Sequence, residues 1–199
     1  MATITAENVK ALRELSGAGV MDCKRALEES DGDVEKASAM LRERGQAAAA
    51  KRAGREAREG IIGHYIHTGS KIGVLIEVNC ETDFVARTDQ FQKLVRDLAM
   101  QVAGLRPKYP TIDSIPAAEL EAKREQLLGD ESVNQKPEQM RGQIIEGQLK
   151  KWFAEVVLTE QPFRDEDRTV GQLIIEAIAK TGENIRVRRF VRFELGEEL

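Results

Sequence analysis

The chain has 199 residues, 41% hydrophobic, 32% charged and only 5% aromatic, a composition of a water-soluble globular protein with aliphatic cores that speaks against extensive disorder. A formal net charge of −4 excludes general attraction to nucleic acid or to an anionic membrane. Cys23 and Cys80 are the only two cysteines, too few for a disulfide framework or a cysteine-rich zinc site, so a reducing compartment is expected.

The start of the chain lacks the basic flank and apolar run of a secretory leader, and no segment approaches the roughly 20 apolar residues of a membrane span. A cytoplasmic protein is therefore expected, with no membrane partner. Three short helices fit the first 45 residues. Thr5 is placed to cap the first, which carries Val9, Leu12 and Leu15 at helical spacing before Ser16-Gly17-Ala18-Gly19 breaks it. The second carries Met21, Ala26 and Leu27 and stops at Ser30-Asp31-Gly32. Asp33 caps a third whose stripe is Val34, Ala37, Met40 and Leu41, with Gly45 expected as its left-handed stop.

Residues 46–59 are rich in alanine and charge without an apolar stripe, and read as an exposed helical connector between a three-helix domain, 1–45, and a core, 60–199. Ile61 to His67 and Ile72 to Asn79 are β-branched runs joined by Thr68-Gly69-Ser70-Lys71, a hairpin. Phe91, Leu94, Val95, Leu98 and Val102 then mark one face of a helix capped near Thr88. Three prolines make 106–116 a loop, and Pro116 opens a helix through Leu128. The helix after Pro137 is expected to turn Met140, Ile144, Ile145, Leu149 and Trp152 inward. Thr169-Val170-Gly171-Gln172 has capping-box spacing ahead of Leu173, Ile174, Ala177 and Ile178, and the exit is Thr181-Gly182. Finally Ile185, Val187, Arg189, Val191 and Phe193 alternate with Arg186, Arg188, Phe190 and Arg192, a strand with one buried and one basic face that must pair with the hairpin. The expected fold class is α+β: a three-helix domain, a helical connector, and a small antiparallel three-stranded sheet with helices packed on it.

Few residues invite chemistry. His64 and His67, three apart on a strand, point to opposite faces and cannot share a metal. Gly17-Ala18-Gly19 lacks the preceding strand and the following lysine of a phosphate loop, so neither a bound nucleotide cofactor nor a metal is expected. Glu81 and Asp83 form an imaginable acid/base pair, but nothing nearby completes a catalytic constellation. Lys51, Arg52, Arg55 and Arg58 carry no interleaved aromatics, which favours a solvated helix face over a nucleic-acid stripe. Asp83-Phe84 is unusual, an acid and a large aromatic between a strand and the next helix. Either the ring folds back into the core or it stands out as an anchor for another protein; both readings stay open on the residues alone.

Ile76-Glu77-Val78-Asn79-Cys80-Glu81-Thr82-Asp83-Phe84-Val85-Ala86-Arg87 closely resembles the signature of the elongation factor Ts family. Val9-Lys10-Ala11-Leu12-Arg13 followed by Gly17-Ala18-Gly19-Val20-Met21-Asp22-Cys23-Lys24-Arg25-Ala26-Leu27 is similar to the family's second signature, on a ubiquitin-associated-type three-helix domain. Gln161-Pro162-Phe163 and Gly182-Glu183-Asn184-Ile185 match family motifs too, so the resemblance covers nearly the whole chain. It implies a guanine-nucleotide exchange factor for elongation factor Tu, binding that partner in its GDP-bound and nucleotide-free forms, with no catalytic chemistry of its own. It further implies that Asp83 and Phe84, flanked by Thr82 and Val85, enter beside the partner's magnesium site, and that Arg13, Met21, Lys24 and Arg52 contact its GTPase domain. Two departures stand out: Val20 replaces a methionine common in the family, and Arg52 replaces one of two consecutive lysines. Long members carry two core subdomains, whereas this chain has room for one. A homodimer is accordingly expected, through the last strand at Val187, Val191 and Phe193.

Overall fold

Short polar side chains start the helices where their geometry allows. The computed structural model describes residues 4–164 and 167–198, so the start of the expected 1–45 domain and the last residue of the expected 60–199 core lie outside the described residues. Thr5 accepts from Asn8 N ahead of α1 (Ala6–Ser16), and Asp33 accepts from Lys36 N ahead of α3 (Val34–Arg52), with α2 (Val20–Glu29) between them. Each side chain satisfies an amide that has no partner within its own helix. The hairpin β1 (Glu59–Ile66) and β2 (Ile72–Cys80) leads to the one-turn α4 (Asp83–Ala86) and to α5 (Asp89–Leu105), on which Phe91 N donates to Thr88 Oγ1 at 3.2 Å. After a proline-containing segment come α6 (Ala117–Leu128), the short α7 (Glu131–Asn134), α8 (Glu138–Val156), α9 (Val170–Thr181) and β3 (Arg186–Glu194). The antiparallel sheet has the order β1-β2-β3, and the fold is α+β as expected.

Two compact units divide the chain. The first holds the described part of Met1–Ile61 with Val78–Leu94 and Gln172–Arg186. Its three N-terminal helices share a core of Leu12, Cys23, Ala26, Leu27 and Ala37, closed by Ile4, Val9, Ala18, Val34 and Leu41. The expected stop at Gly45 does not occur: α3 runs unbroken to Arg52. One glycine costs a helix about 1 kcal/mol, and the alanines at 47–50 are the best helix formers available to carry it onward. Gly45 also faces α9, since a methyl built there would lie 3.7 Å from Ile175 Cγ2 and 4.0 Å from Ala179 Cβ. Leu15 and Met21, expected on apolar stripes, are both exposed.

The second unit holds Ile62–Glu77, Val95–Gly171 and the described part of Val187–Leu199. Val74, Ile76, Val95, Leu98, Val102 and Val187 are buried in it. Gly63 lets helix and sheet close, because a Cβ there would fall 2.3 Å from Val95 Cγ1. The proline-containing segment is pinned rather than loose: Lys108 N and Tyr109 N both donate to Val156 O, and Leu158 N donates to Tyr109 O at 2.8 Å. Gln161, 1% exposed, donates to Leu105 O and Glu155 O and accepts from Gln101 Nε2. On α8 the inward expectation holds fully only for Leu149; Ile144, Ile145 and Trp152 are half-buried and Met140 is exposed.

The last strand departs from strict alternation. Val187 is buried, Arg188 and Arg189 are both exposed, and thereafter Phe190 and Arg192 are the more covered residues while Val191 and Phe193 are exposed. Arg188 Nη1 and Arg189 Nε bind the two oxygens of the same carboxylate, Glu77, at 3.1 and 2.7 Å. The burial pattern changes phase by one at these two consecutive exposed residues. The single buried face expected for Val187, Val191 and Phe193 is thus corrected: Val187 packs inside the chain, and Val191 and Phe193 lie on the sheet's outer face.

Candidate partner-binding site

In the first unit, β2 ends at Cys80 and Thr82 caps the single turn of α4, its Oγ1 accepting from Val85 N at 3.4 Å. That turn buries Ala86 at 4% exposure and turns Phe84 out at 80%. The fold-back reading of Phe84 is therefore not what the chain adopts. Asp83 is held beside it, with Arg87 Nη2 at 2.8 Å from its carboxylate one turn later. Val85 and Thr82 are half-buried and serve as the footing of the corner. Cys80 beneath it is buried and donates to Thr82 O at 3.1 Å; burial, then the nearby Glu183 charge, pushes its thiol up to about 11.

A second segment grips the corner from outside. Following α9, Gly182-Glu183-Asn184 runs past residues 81 and 82: Glu183 Oε2 accepts from Glu81 N at 3.1 Å and Thr82 N at 3.0 Å, and Glu183 Oε1 accepts from Thr82 Oγ1 at 2.6 Å. Asn184 N donates back to Glu81 Oε1 at 2.6 Å, and Asn184 Nδ2 donates to Arg55 O at 2.8 Å. Arg52, expected at a partner contact, spends its guanidinium on Gly182 O at 2.9 Å and Ala48 O at 3.0 Å. Glu183 stands in the Gly182 to Ile185 motif, which by itself gives the residue no role. The only signal for it in the sequence was that motif, because its partners lie about 100 residues away.

Across the three-helix part, Arg13, Met21 and Lys24 are exposed, with Lys24 in a 3.8 Å ion pair to Glu28. Leu15, Val20 and Met21, 69%, 51% and 67% exposed, bracket the loop between α1 and α2 and form an apolar cluster in sequence beside these cations. Leu15, at helical spacing with Val9 and Leu12, lies on the surface and not in the three-helix core. An open recess lined by Lys10, Arg13, Glu14, Gly17, Gln90 and Lys180 adjoins α1. Among the described residues no group of three or more His, Cys, Asp or Glu is placed to hold a metal, and none of the described helices is long and apolar enough to cross a membrane.

A capped corner carrying a half-buried acid and an exposed aromatic, together with an apolar and basic helical surface, has the features of a surface that binds another protein. The chain belongs to the elongation factor Ts family, whose model matches residues 2–197. Similar proteins, each named elongation factor Ts, include that of Heliobacterium modesticaldum, 55% identical over 198 residues, which cover 98% of this chain and 92% of the relative. The protein of Moorella thermoacetica is 57% identical over 196 residues, 98% of this chain and 96% of the relative. That of Geobacter sulfurreducens is 52% identical over 198 residues, 99% and 92%.

Proposed function

We propose that this chain is a guanine-nucleotide exchange factor that binds elongation factor Tu in the cytoplasm and releases its GDP by inserting Asp83 and Phe84 beside the partner's magnesium site. The observation that carries the reading is Phe84, 80% exposed on a helical turn held from both sides. Leaving a ring of that size in water forgoes about 1.5–3 kcal/mol of burial, which only a partner can recover. Arg13, Met21 and Lys24, with Leu15 and Val20, supply the second contact, against the partner's GTPase domain. Arg52, committed to a carbonyl of its own helix and to Gly182 O, acts by holding the Gly182 segment against the end of α3. No bond is made or broken by this chain. It binds the nucleotide-free partner more tightly than the loaded one, and by reciprocity weakens nucleotide binding by the same factor. Release of a fluorescent GDP from elongation factor Tu is the test: Phe84→Ala should slow it by on the order of 30-fold, the size expected for an interface anchor of about 2 kcal/mol. Wild-type release by Phe84→Ala would refute the reading.

We further propose that the chain works as a homodimer, built on the outer face of the sheet in the second unit. Ile62, Ile66, Leu75, Val191 and Phe193 are all exposed there. Leu195 N donates to Lys71 O at 2.8 Å, a register that sets Phe193 opposite Gly73 and Val191 opposite Leu75. Arg188 and Arg189, which would repel a second copy, share the one carboxylate of Glu77, which offsets half of their charge. A largely apolar face of this kind suits a second copy of itself across a twofold axis.

A further inference from the structure

Resting on the exchange reading above, we propose that Glu183 is the positioning residue of the exchange site: its carboxylate fixes the Asp83-Phe84 corner in the orientation that enters the partner. Both oxygens are engaged, one by the amides of Glu81 and Thr82 and the other by the Thr82 hydroxyl. These groups sit immediately ahead of the turn that carries Phe84, and Thr82 Oγ1 is at once the donor to Glu183 and the acceptor from Val85 N. The carboxylate therefore sets the hydroxyl's direction, and the hydroxyl sets the first turn of α4. A one-turn helix cannot hold itself, because nucleation costs more than a single turn returns; its orientation has to come from outside. Charge-assisted bonds to a carboxylate are the strongest neutral-pH means of doing so. Asn184 reinforces the arrangement by returning a bond to Glu81, while its side chain holds Arg55 O and Ala53 O just beyond α3. Glu183 and Asn184 together thus tie the corner to the chain leaving α3.

Positioning differs from gluing in what it changes. A corner that wobbles still docks, but its ring reaches the productive position in fewer encounters, so the loss appears in release at saturation rather than in the concentration needed to saturate. The experiment is stopped-flow release of fluorescent GDP from elongation factor Tu, titrated with full-length wild type, Glu183→Ala, Glu183→Gln, Phe84→Ala and the double variant Phe84→Ala/Glu183→Ala. Amide hydrogen exchange is read on each free protein. Glu183→Ala is expected to lower the saturating rate about tenfold, with the half-saturating concentration within about twofold of wild type. The amides of Glu81 and Thr82 should exchange faster. Glu183→Gln should lie between, since the amide oxygen still accepts from the two N–H groups but its NH₂ meets a hydroxyl whose proton then lacks an acceptor. If Glu183 acts through the ring, the double variant should be no slower than Phe84→Ala alone. Should Glu183→Ala fail to fold, Glu183→Gln and its double variant carry the same comparison. An impaired Phe84→Ala beside a normal Glu183 variant, or losses that multiply in the double variant, overturns the positioning proposal alone. A normal Phe84→Ala overturns the exchange reading and the proposal with it.

Discussion

Cys80 and Phe84, four residues apart, show how little the type of side chain says about its place. Both are apolar enough to be buried, yet Cys80 is fully enclosed while the ring is 80% exposed, because the strand ends at one and a capped turn begins before the other. Phe84→Ala should consequently leave the melting temperature almost unchanged, whereas truncating a buried phenylalanine such as Phe91 should cost about 3–5 kcal/mol. For Cys80, a thiol pushed from 9.0 to about 11 is held protonated in the folded chain. The sign follows from linkage: with the folded value raised, the stabilisation is complete below the unfolded value and is lost as pH rises through about 11. Native protein should resist thiol reagents at about pH 8, where burial and the missing thiolate act together. Urea midpoints should fall between 9.0 and about 11 in wild type more steeply than in Cys80→Ala. Rapid labelling of Cys80 in the folded state would contradict this.

At the level of the element, the helix starts were legible and the helix ends less so. Thr5, Asp33 and Thr88 each cap as their spacing predicted, since an N-cap depends on three or four neighbouring residues. Gly45 misled because a glycine stops a helix only where the chain also turns left-handed, as it does at Gly17 with φ 63°, and Gly45 remains helical. The two glycines should therefore respond oppositely. Gly45→Ala meets only ordinary van der Waals neighbours and should stabilise the chain by about 0.5–1 kcal/mol. Gly17→Ala would strain a left-handed position, and the flexible end of Lys180, whose Nζ lies 2.2 Å from where that Cβ would sit, would have to move aside, so the backbone strain should destabilise. Thermal melts of the two variants decide, and a stabilised Gly17→Ala would contradict the account. On β3 the phase slip at Arg188-Arg189 was invisible to a period-two reading, because two consecutive arginines carry no signal of which of them faces which side.

Taken whole, the molecule exposes two apolar features on different foundations, the Phe84 ring on a helical turn and Val191 and Phe193 on a sheet face, and the proposed homodimer rests on the second. Val191→Asp probes the second. In a single chain Val191 is 42% exposed, so an aspartate there should change stability within about 0.5 kcal/mol. Buried against a second copy, the unpaired charge should instead separate the chains. Light scattering across a dilution series should give twice 22.2 kDa for wild type and a mass near 22.2 kDa for Val191→Asp, with and without reductant, since both cysteines are buried and free. A wild-type mass near 22.2 kDa throughout would sink the homodimer. Slower GDP release by the monomeric variant would further show that two chains grip the partner together.

The sequence by itself determined the α+β class, the hairpin, the caps, the three-helix module and, through its signatures, the family, because each of these is written in residues adjacent along the chain. Tertiary structure alone decided whether Phe84 folds in or stands out, that α3 passes through Gly45 against α9, which face of β3 meets water, and that Glu183 holds Thr82 from about 100 residues away. For Glu183 and for the packing of Gly45 the physical reason is the same: each depends on a partner brought near only by folding, and a contact whose loop closes over such distances leaves no periodicity, spacing or composition by which it can be read beforehand.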